Sequence, residues 1–250
     1  ARAICAERNI PLQAELGGNN AAIVWDDAEM KPAARAIVAG AFEMAGQRCT
    51  ANRRVIVREQ NRDPFLNLLI EESVRLNWGD PFAFETDIGP LVSRARCERI
   101  SATLDRTAID CPIVHPLGQT PSASESFAGC WCPPTLVCCN DPAHEIVQEE
   151  TFGPVLVVQS AQDWDQAIEL CNGVRQGLAA SVFTTSETIV ERFLEHARAG
   201  MLKINQATSD AEVDVPFCAW KASGSGPPKH GMFTRDFYTR PQTVYGALGT

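Results

Sequence analysis

The chain reads as an α/β protein built on a mostly parallel, doubly wound sheet with helices on both faces, and two observations predict this. In the second half, short apolar runs alternate with amphipathic stretches of roughly ten residues, the pattern of a parallel sheet whose crossovers are helices. In the first half, AARAIVAGAFEMAG (residues 33–46) carries a helical period and leads directly to a strand-like run, RRVIVR. No internal repeat, linker or low-complexity run divides the 250 residues, so one domain is expected.

Each element has its own signal. Residues 13–24 (QAELGGNNAAIV) pass from a carboxylate and a Gly pair into a strand-like run. Over 33–46, Ala34, Ile37, Val38, Ala41, Phe42 and Ala45 share one face; Pro32 suits the first turn and Gly46 the C-terminal cap. Residues 53–58 form a short strand. Residues 62–77 predict a helix with Phe65, Leu68, Leu69 and Leu76 inward, and 93–107 predict another. Closely spaced Pro, Gly and Ser residues over 112–134 predict irregular loop. Residues 155–159 are a strand, and Asp163 with Gln166 resembles a capping box opening a helix to Cys171. Residues 178–184 are a buried strand. Residues 187–199 are a helix with Ile189, Val190, Phe193, Leu194 and Ala197 inward, closed by Gly200. Residues 201–205 are a further strand. An extended tail follows from about 234 to 250, in which Phe237–Tyr245 alternates enough to pair as an edge strand with a partner.

Composition narrows the function classes. A formal charge of −9 with no basic stripe argues against a nucleic-acid partner. The longest apolar runs fall far short of the roughly 20 residues a membrane helix needs. The opening residues, ARAICAERNIP, lack the apolar core of a signal peptide, so no export is expected. The ten cysteines sit in a chain too long for a disulfide scaffold, which points to reduced thiols in a cytoplasmic protein. Cys130-x-Cys132 and Cys138-Cys139 fit zinc spacing poorly, and His115, His144, His196 and His230 match no ligand spacing, so no metal site is expected.

Two residues invite chemistry. Cys49 lies just past a helix, in FEMAGQRCT, and is either a nucleophile or a packing residue. Glu15 stands two positions before Gly17-Gly18, where bare backbone turns sharply or meets a ligand closely; it is a base or a solvated loop acid. Arg48, Arg53 and Arg54 place positive charge near Cys49 in sequence, which would favour a thiolate if they are also near in space.

Taken together, these stretches resemble the aldehyde dehydrogenase superfamily. ELGG is followed by the Cys of GQRC 34 positions after its Glu. Glu149-Glu150-Thr151-Phe152-Gly153-Pro154 then matches EE-x-FGP, Asn172 with Gly177–Thr184 matches N-x₄-GLAASVFT, Ala199–Asn205 matches AG-x-x-x-x-N, and Pro216-Phe217 with Lys221–Gly224 matches PF-x-x-x-K-x-SG. The likeness spans about residues 13–226. It implies that the chain is the catalytic, cysteine-bearing domain of an NAD(P)-dependent aldehyde dehydrogenase, residues 1–250, that forms a homo-oligomer in its full-length state. It implies Cys49 as nucleophile, its backbone N–H as half of an oxyanion hole, and Glu15 as the general base that activates water against a thioester. It also implies Glu150 on the nicotinamide ribose, Phe152 beside the nicotinamide, and Gly17 in the cofactor cradle. The role of Asn205 is open.

The family's cofactor domain lies mostly N-terminal to ELGG, which begins here at residue 15. The resemblance therefore implies that the N-terminal cofactor-binding domain is absent, that NAD or NADP is bound mainly by that missing part, and that the chain alone is inactive as a dehydrogenase. Three departures stand out. Cys218-Ala219 replaces the glycines of PFGG, Pro227-Pro228 stands where many members carry Arg-Glu, and Asn19 replaces the lysine common after ELGG. ELGGNN with GQRCT looks most like the succinylglutamate semialdehyde dehydrogenase branch, of arginine catabolism, so the implied substrate is that semialdehyde or a similar one. Two alternatives remain: a cofactor-free cysteine esterase and a non-catalytic assembly module.

Overall fold

The computed structural model describes residues 1–116 and 129–246. In chain order the elements are α1 (Arg2–Glu7), β1 (Ala14–Glu15), β2 (Asn20–Val24), α2 (Met30–Phe42), β3 (Asn52–Arg58), α3 (Arg62–Ser73), α4 (Arg94–Thr107), β4 (Ile113–Val114), β5 (Thr135–Cys138), α5 (Glu145–Gln148) and β6 (Val155–Ala161). They continue with α6 (Trp164–Asn172), β7 (Gln176–Gly177), β8 (Ala179–Phe183), α7 (Glu187–His196), β9 (Met201–Ile204), β10 (Trp220–Lys221), β11 (Gly224–Ser225) and α8 (Phe233–Tyr238).

The central sheet has the order β4-β5-β6-β3-β2-β8-β9 and is parallel throughout except for the β4–β5 edge. Alternate residues of each strand face opposite layers. Ala22, Val24, Val55 and Val57 pack with α2 and α3, whereas Ala21, Ile23, Ile56, Ala180 and Val182 pack with α6 and α7. Both faces are covered, so the strands read as continuous apolar runs, and the doubly wound α/β architecture expected from the sequence is the one observed. Among the described residues no helix is long and apolar enough to cross a membrane.

Several boundaries differ from the sequence reading for tertiary reasons. The helix expected over 33–46 ends at Phe42; a 3₁₀ turn, Glu43–Gly46, follows, with Met44, Ala45 and Gly46 at φ +54°, +54° and +65°. There the chain unwinds because its carbonyls are claimed by Arg53, whose guanidinium donates to Gly46 O and Arg48 O. The expected helix 62–77 stops at Ser73, with Leu76 still packed on the core. The helix expected to Ala199 stops at His196, because Asn172 brackets the exit, accepting from Arg198 N–H and donating to His196 O. Its inward stripe is narrower than expected: Phe193 is buried, but Leu194 is exposed. Asp163 accepts from Gln166 N–H as a cap should, while the Gln166 side chain bonds Gln162 N–H rather than closing the box on Asp163.

The loop expected over 112–134 contains β4, paired with β5; residues 117–128 of that stretch lie outside the described residues. The tail expected to be extended from about 234 begins instead with α8, since Phe233 and Phe237 at i,i+4 spacing and the Thr239 hydroxyl bonded to Arg235 O favour a local helix. Residues 239–246 pair with no strand among the described residues, and 247–250 lie outside them.

Candidate active site

A parallel sheet places the amino ends of all its strands along one edge. ELGG leads into β2, GQRC into β3 and EETFGP into β6, and these three strands are adjacent in the order β6-β3-β2. Segments far apart in sequence are thereby delivered to one place, and Glu15 and Glu150 each come within electrostatic reach of Cys49.

The Cys49 loop is held from several sides. Asn20 Nδ2 donates to Cys49 O and Ala51 O, both at 2.9 Å, while its Oδ1 accepts from Ala179 N–H at 3.0 Å. Thr208 Oγ1 donates to Thr50 O (2.7 Å), and Thr50 Oγ1 donates to Ser209 O (2.9 Å). A Cβ at Gly18 would stand 2.5 Å from Cys49 O, so the second glycine of ELGG is what lets the two backbones meet. The loop is rigid around its sulfur.

Burial pushes the Cys49 thiol above its ordinary value; the charge of Glu15 adds to this, Lys229 opposes it, Glu150 adds to it, and the Cys49 N–H close to its own sulfur opposes it slightly. Of the arginines expected to favour a thiolate if near in space, Arg53 comes within Coulomb range of Cys49, but burial outweighs it. Arg53 and Arg54 are fully buried, and desolvation lowers both guanidinium values to about 10. Arg53 donates to Gly153 O (2.6 Å) as well as to Gly46 O and Arg48 O. Arg54 donates to Asn19 O, Leu170 O and Cys171 O at 3.1, 2.6 and 3.0 Å. Arg53 keeps its charge and attracts that of Cys49 while its N–H groups hold carbonyls, and burial still leaves the net balance on the sulfur upward.

Glu15 is tied down by the β1–β11 ladder, which pairs it with Gly224, and its carboxylate Oε2 contacts Lys229 Nζ. Ser223 reinforces the attachment, its hydroxyl donating to Gly17 O (2.8 Å) and its carbonyl accepting from Leu16 N–H. The SG motif thus braces ELGG. A cleft of about 190 Å³ lies here, lined by Glu15, Phe217, Cys218, Gly226 and their neighbours.

Glu150 turns toward Gly17 and Gly18. Its Oε1 accepts from Gly18 N–H at 3.3 Å, and a Cβ at Gly17 would overlap the carboxylate. Burial raises the Glu150 carboxyl, with Arg53 opposing. Phe152, at φ +49°, lies beneath the guanidinium groups of Arg53 and Arg96, 5.8 and 5.6 Å from its ring centroid. Gly17, Arg96, Glu150, Phe152 and Arg175 line a larger cleft of about 480 Å³.

Other sequence candidates have structural partners. Asn205 accepts from Thr184 N–H and donates to Thr184 O, joining the ends of β8 and β9. Asn19 donates to Val147 O at 2.6 Å, deep in the molecule. Sequence reasoning missed Asn20, Thr208 and Lys229, since nothing local marks a side chain whose partner is far along the chain. It also missed that donor atoms of Cys111, Cys139 and His144 lie within 4.8 Å of one another. There, His144 Nδ1 is committed to capping α5 through Ile146 N–H, and burial lifts the Cys139 thiol to about 12.

Known proteins place this arrangement. The pattern of the Aldehyde dehydrogenase family matches residues 1–244. Alpha-ketoglutarate semialdehyde dehydrogenase of Haloferax volcanii is 34% identical over 235 residues, 94% of this chain and 48% of that protein. Betaine aldehyde dehydrogenase of Cereibacter sphaeroides is 34% identical over 237 residues, 94% of this chain and 47% of that protein. The crystal structure of an NAD-dependent aldehyde dehydrogenase from Sinorhizobium meliloti superposes with a TM-score of 0.88 at 31% identity, over 100% of this chain and 48% of that one. Lactaldehyde dehydrogenase from Escherichia coli gives 0.87 at 29% identity, over 98% and 50%. The chain spans about half the length of the relatives it matches. With these motifs converging on one edge of a sheet of this topology, the chain belongs to the aldehyde dehydrogenase family.

Proposed function

We propose that the chain carries the nucleophile and base of an enzyme that oxidises an aldehyde to its carboxylic acid, with NAD or NADP as hydride acceptor. The observation that supports it best is the meeting of Cys49, Glu15 and Glu150 at the amino ends of adjacent strands. The Cys49 thiolate adds to the aldehyde carbon, and its backbone N–H helps hold the resulting oxyanion. Loss of hydride from this thiohemiacetal leaves a thioester. A bound nicotinamide cofactor supplies the acceptor for that hydride. Water then attacks the thioester, Glu15 takes its proton, and the acid leaves as Cys49 is regenerated.

The residues lining the larger cleft fit a nicotinamide riboside. Glu150 offers a carboxylate to sugar hydroxyls and Phe152 offers a ring face, while the bare backbone of Gly17 makes room for the Glu150 carboxylate. A betaine aldehyde dehydrogenase from Staphylococcus aureus, 28% identical with a TM-score of 0.85 over 96% of this chain and 49% of that one, was solved with NAD⁺. Among substrates we favour a semialdehyde. Two alpha-ketoglutarate semialdehyde dehydrogenases, from Haloferax volcanii and Bacillus subtilis, are among the relatives, and ELGGNN with GQRCT resembles the succinylglutamate semialdehyde branch. By itself the chain is read as inactive in aldehyde oxidation but able to hydrolyse activated esters, which need no hydride acceptor.

The test is p-nitrophenyl acetate hydrolysis without cofactor. Turnover should vanish in Cys49→Ser, and in Glu15→Gln it should stall after one acyl burst per Cys49. Turnover that survives Cys49→Ser would overturn the assignment. Tight NAD binding or NADH formation from aldehydes by this chain would overturn the reading that it cannot oxidise alone.

A further inference from the structure

We propose that Lys229 is a positioning residue for this reaction: it holds one oxygen of Glu15 so that the other is left to receive the proton of water, and it is the cation paired with that carboxylate beside Cys49. The proposal rests on reading Cys49 as nucleophile and Glu15 as base.

Three observations carry it. Lys229 Nζ contacts Glu15 Oε2, whereas Glu15 Oε1 is buried and has no hydrogen-bond partner among the described residues. A carboxylate fixed in this way presents one free oxygen in one direction. Next, the lysine is itself fixed. Phe217 and Lys229 exchange both backbone hydrogen bonds, at 2.7 and 3.3 Å, and the ammonium sits 4.5 Å from the Phe217 ring centroid, a cation–π distance. Gln13, two residues before Glu15, donates to Pro227 O and Pro228 O at 3.2 and 2.8 Å, clamping the segment that delivers Lys229 to the strand that delivers Glu15. The Pro227-Pro228 departure therefore belongs to a built connection between base and lysine.

The third observation is the charge around the sulfur. Glu15 ahead of β2 and Glu150 ahead of β6 both oppose a thiolate and Lys229 after β11 favours it, while Arg53 on β3, whose N–H groups hold carbonyls, is attracted to both Glu150 and Cys49. His230, beside Lys229, lies edge-on to Phe217 with ring centroids 5.9 Å apart. Glu150 is faced by Arg53 and Arg96, whereas Glu15 is paired with Lys229; without Lys229, Cys49 would ionise against a Glu15 carboxylate that has lost this cation.

The experiment is the rate of Cys49 alkylation by iodoacetamide from neutral to alkaline pH, read on the Cys49 peptide by mass spectrometry, for the unaltered chain, Lys229→Gln and Lys229→Arg. Lys229→Gln should slow alkylation at neutral pH about threefold to tenfold, because the thiolate fraction falls when the cation is removed. Its rate should converge on that of the unaltered chain at high pH. Lys229→Arg should stay within about twofold, because it restores the charge. Deacylation after the p-nitrophenyl acetate burst should slow in Lys229→Gln and recover in Lys229→Arg. Superimposable alkylation profiles for Lys229→Gln and the unaltered chain would overturn the proposal, as would equal slowing at every pH in both variants, which marks a packing role. Alkylation needs only a thiolate, so it decides on Lys229 even if the unaltered chain shows no Cys49-dependent ester turnover, the separate result that would remove the nucleophile and base reading.

Discussion

The cleft lined by Glu150 and the cleft lined by Glu15 are built by different means. In the larger one, Glu150 is placed by backbone: it bonds Gly18 N–H, and Gly17 has no side chain to obstruct it. In the smaller one, Glu15 is placed by a two-residue ladder and by the long side chain of Lys229. Backbone geometry admits few residue types, so the first cleft is written in ELGG and EE-x-FGP. A lysine reaching across the fold imposes no local pattern, and around it the chain departs from the family at Cys218-Ala219 and Pro227-Pro228. Where backbone sets the geometry the residues are marked by motifs; where a long side chain sets it, no motif marks them.

That comparison is most severely strained by Gly18→Ala. The added methyl meets the Cys49 carbonyl, which Asn20 and the β2–β3 pairing hold in place, so neither backbone has room to yield. We expect a loss of about 2–3 kcal/mol in urea unfolding, the range for overpacking, together with loss of rapid Cys49 alkylation. A stability within experimental error of the unaltered chain would show that the close approach is not required. Gly17→Ala should do less. Its methyl meets the end of the Glu150 side chain, which can swing into the cleft, so we expect a loss of about 1 kcal/mol with Cys49 alkylation nearly unchanged. If the two variants destabilise equally, the distinction between backbone and side-chain obstruction fails.

Arg175→Ala should change least. Arg175 pairs with Glu149 at 2.6 Å on the rim of the larger cleft, but the two side chains are 64% and 51% exposed, and such pairs contribute at most about 1 kcal/mol. Calorimetric melting should move by about 2 °C or less. A larger drop would mean that the rim, and not only its glycine floor, holds the cleft together.

Much of this was legible beforehand. The strands β3, β6, β8 and β9 and the helix α4 lie close to where their apolar periods predicted. Cys49, Glu15, Gly17, Glu150 and Phe152 were marked by motifs, and the structure brings them to one edge of the sheet. The misreadings share a cause. The helix through 33–46 is unwound at its end by Arg53, and the helix through 187–199 is cut short by Asn172, each acting from a distant part of the chain. The sequence-adjacent arginines marked positive charge near Cys49, and Arg53 does reach it, but proximity along the chain says nothing about burial, which outweighs that charge.

Local chemistry was enough to determine the alternation of buried strands and covering helices, and the residue types able to add to a carbonyl or activate water. Those follow from side-chain periodicity and from functional groups, which every residue carries with it. Only the tertiary structure decided that the motifs share one edge, that Arg53 and Arg54 brace the carbonyls around them, and that Lys229 joins Glu15. Each of these depends on which distant groups are brought within hydrogen-bond or Coulomb range, and that distance is set by the packing of the whole sheet.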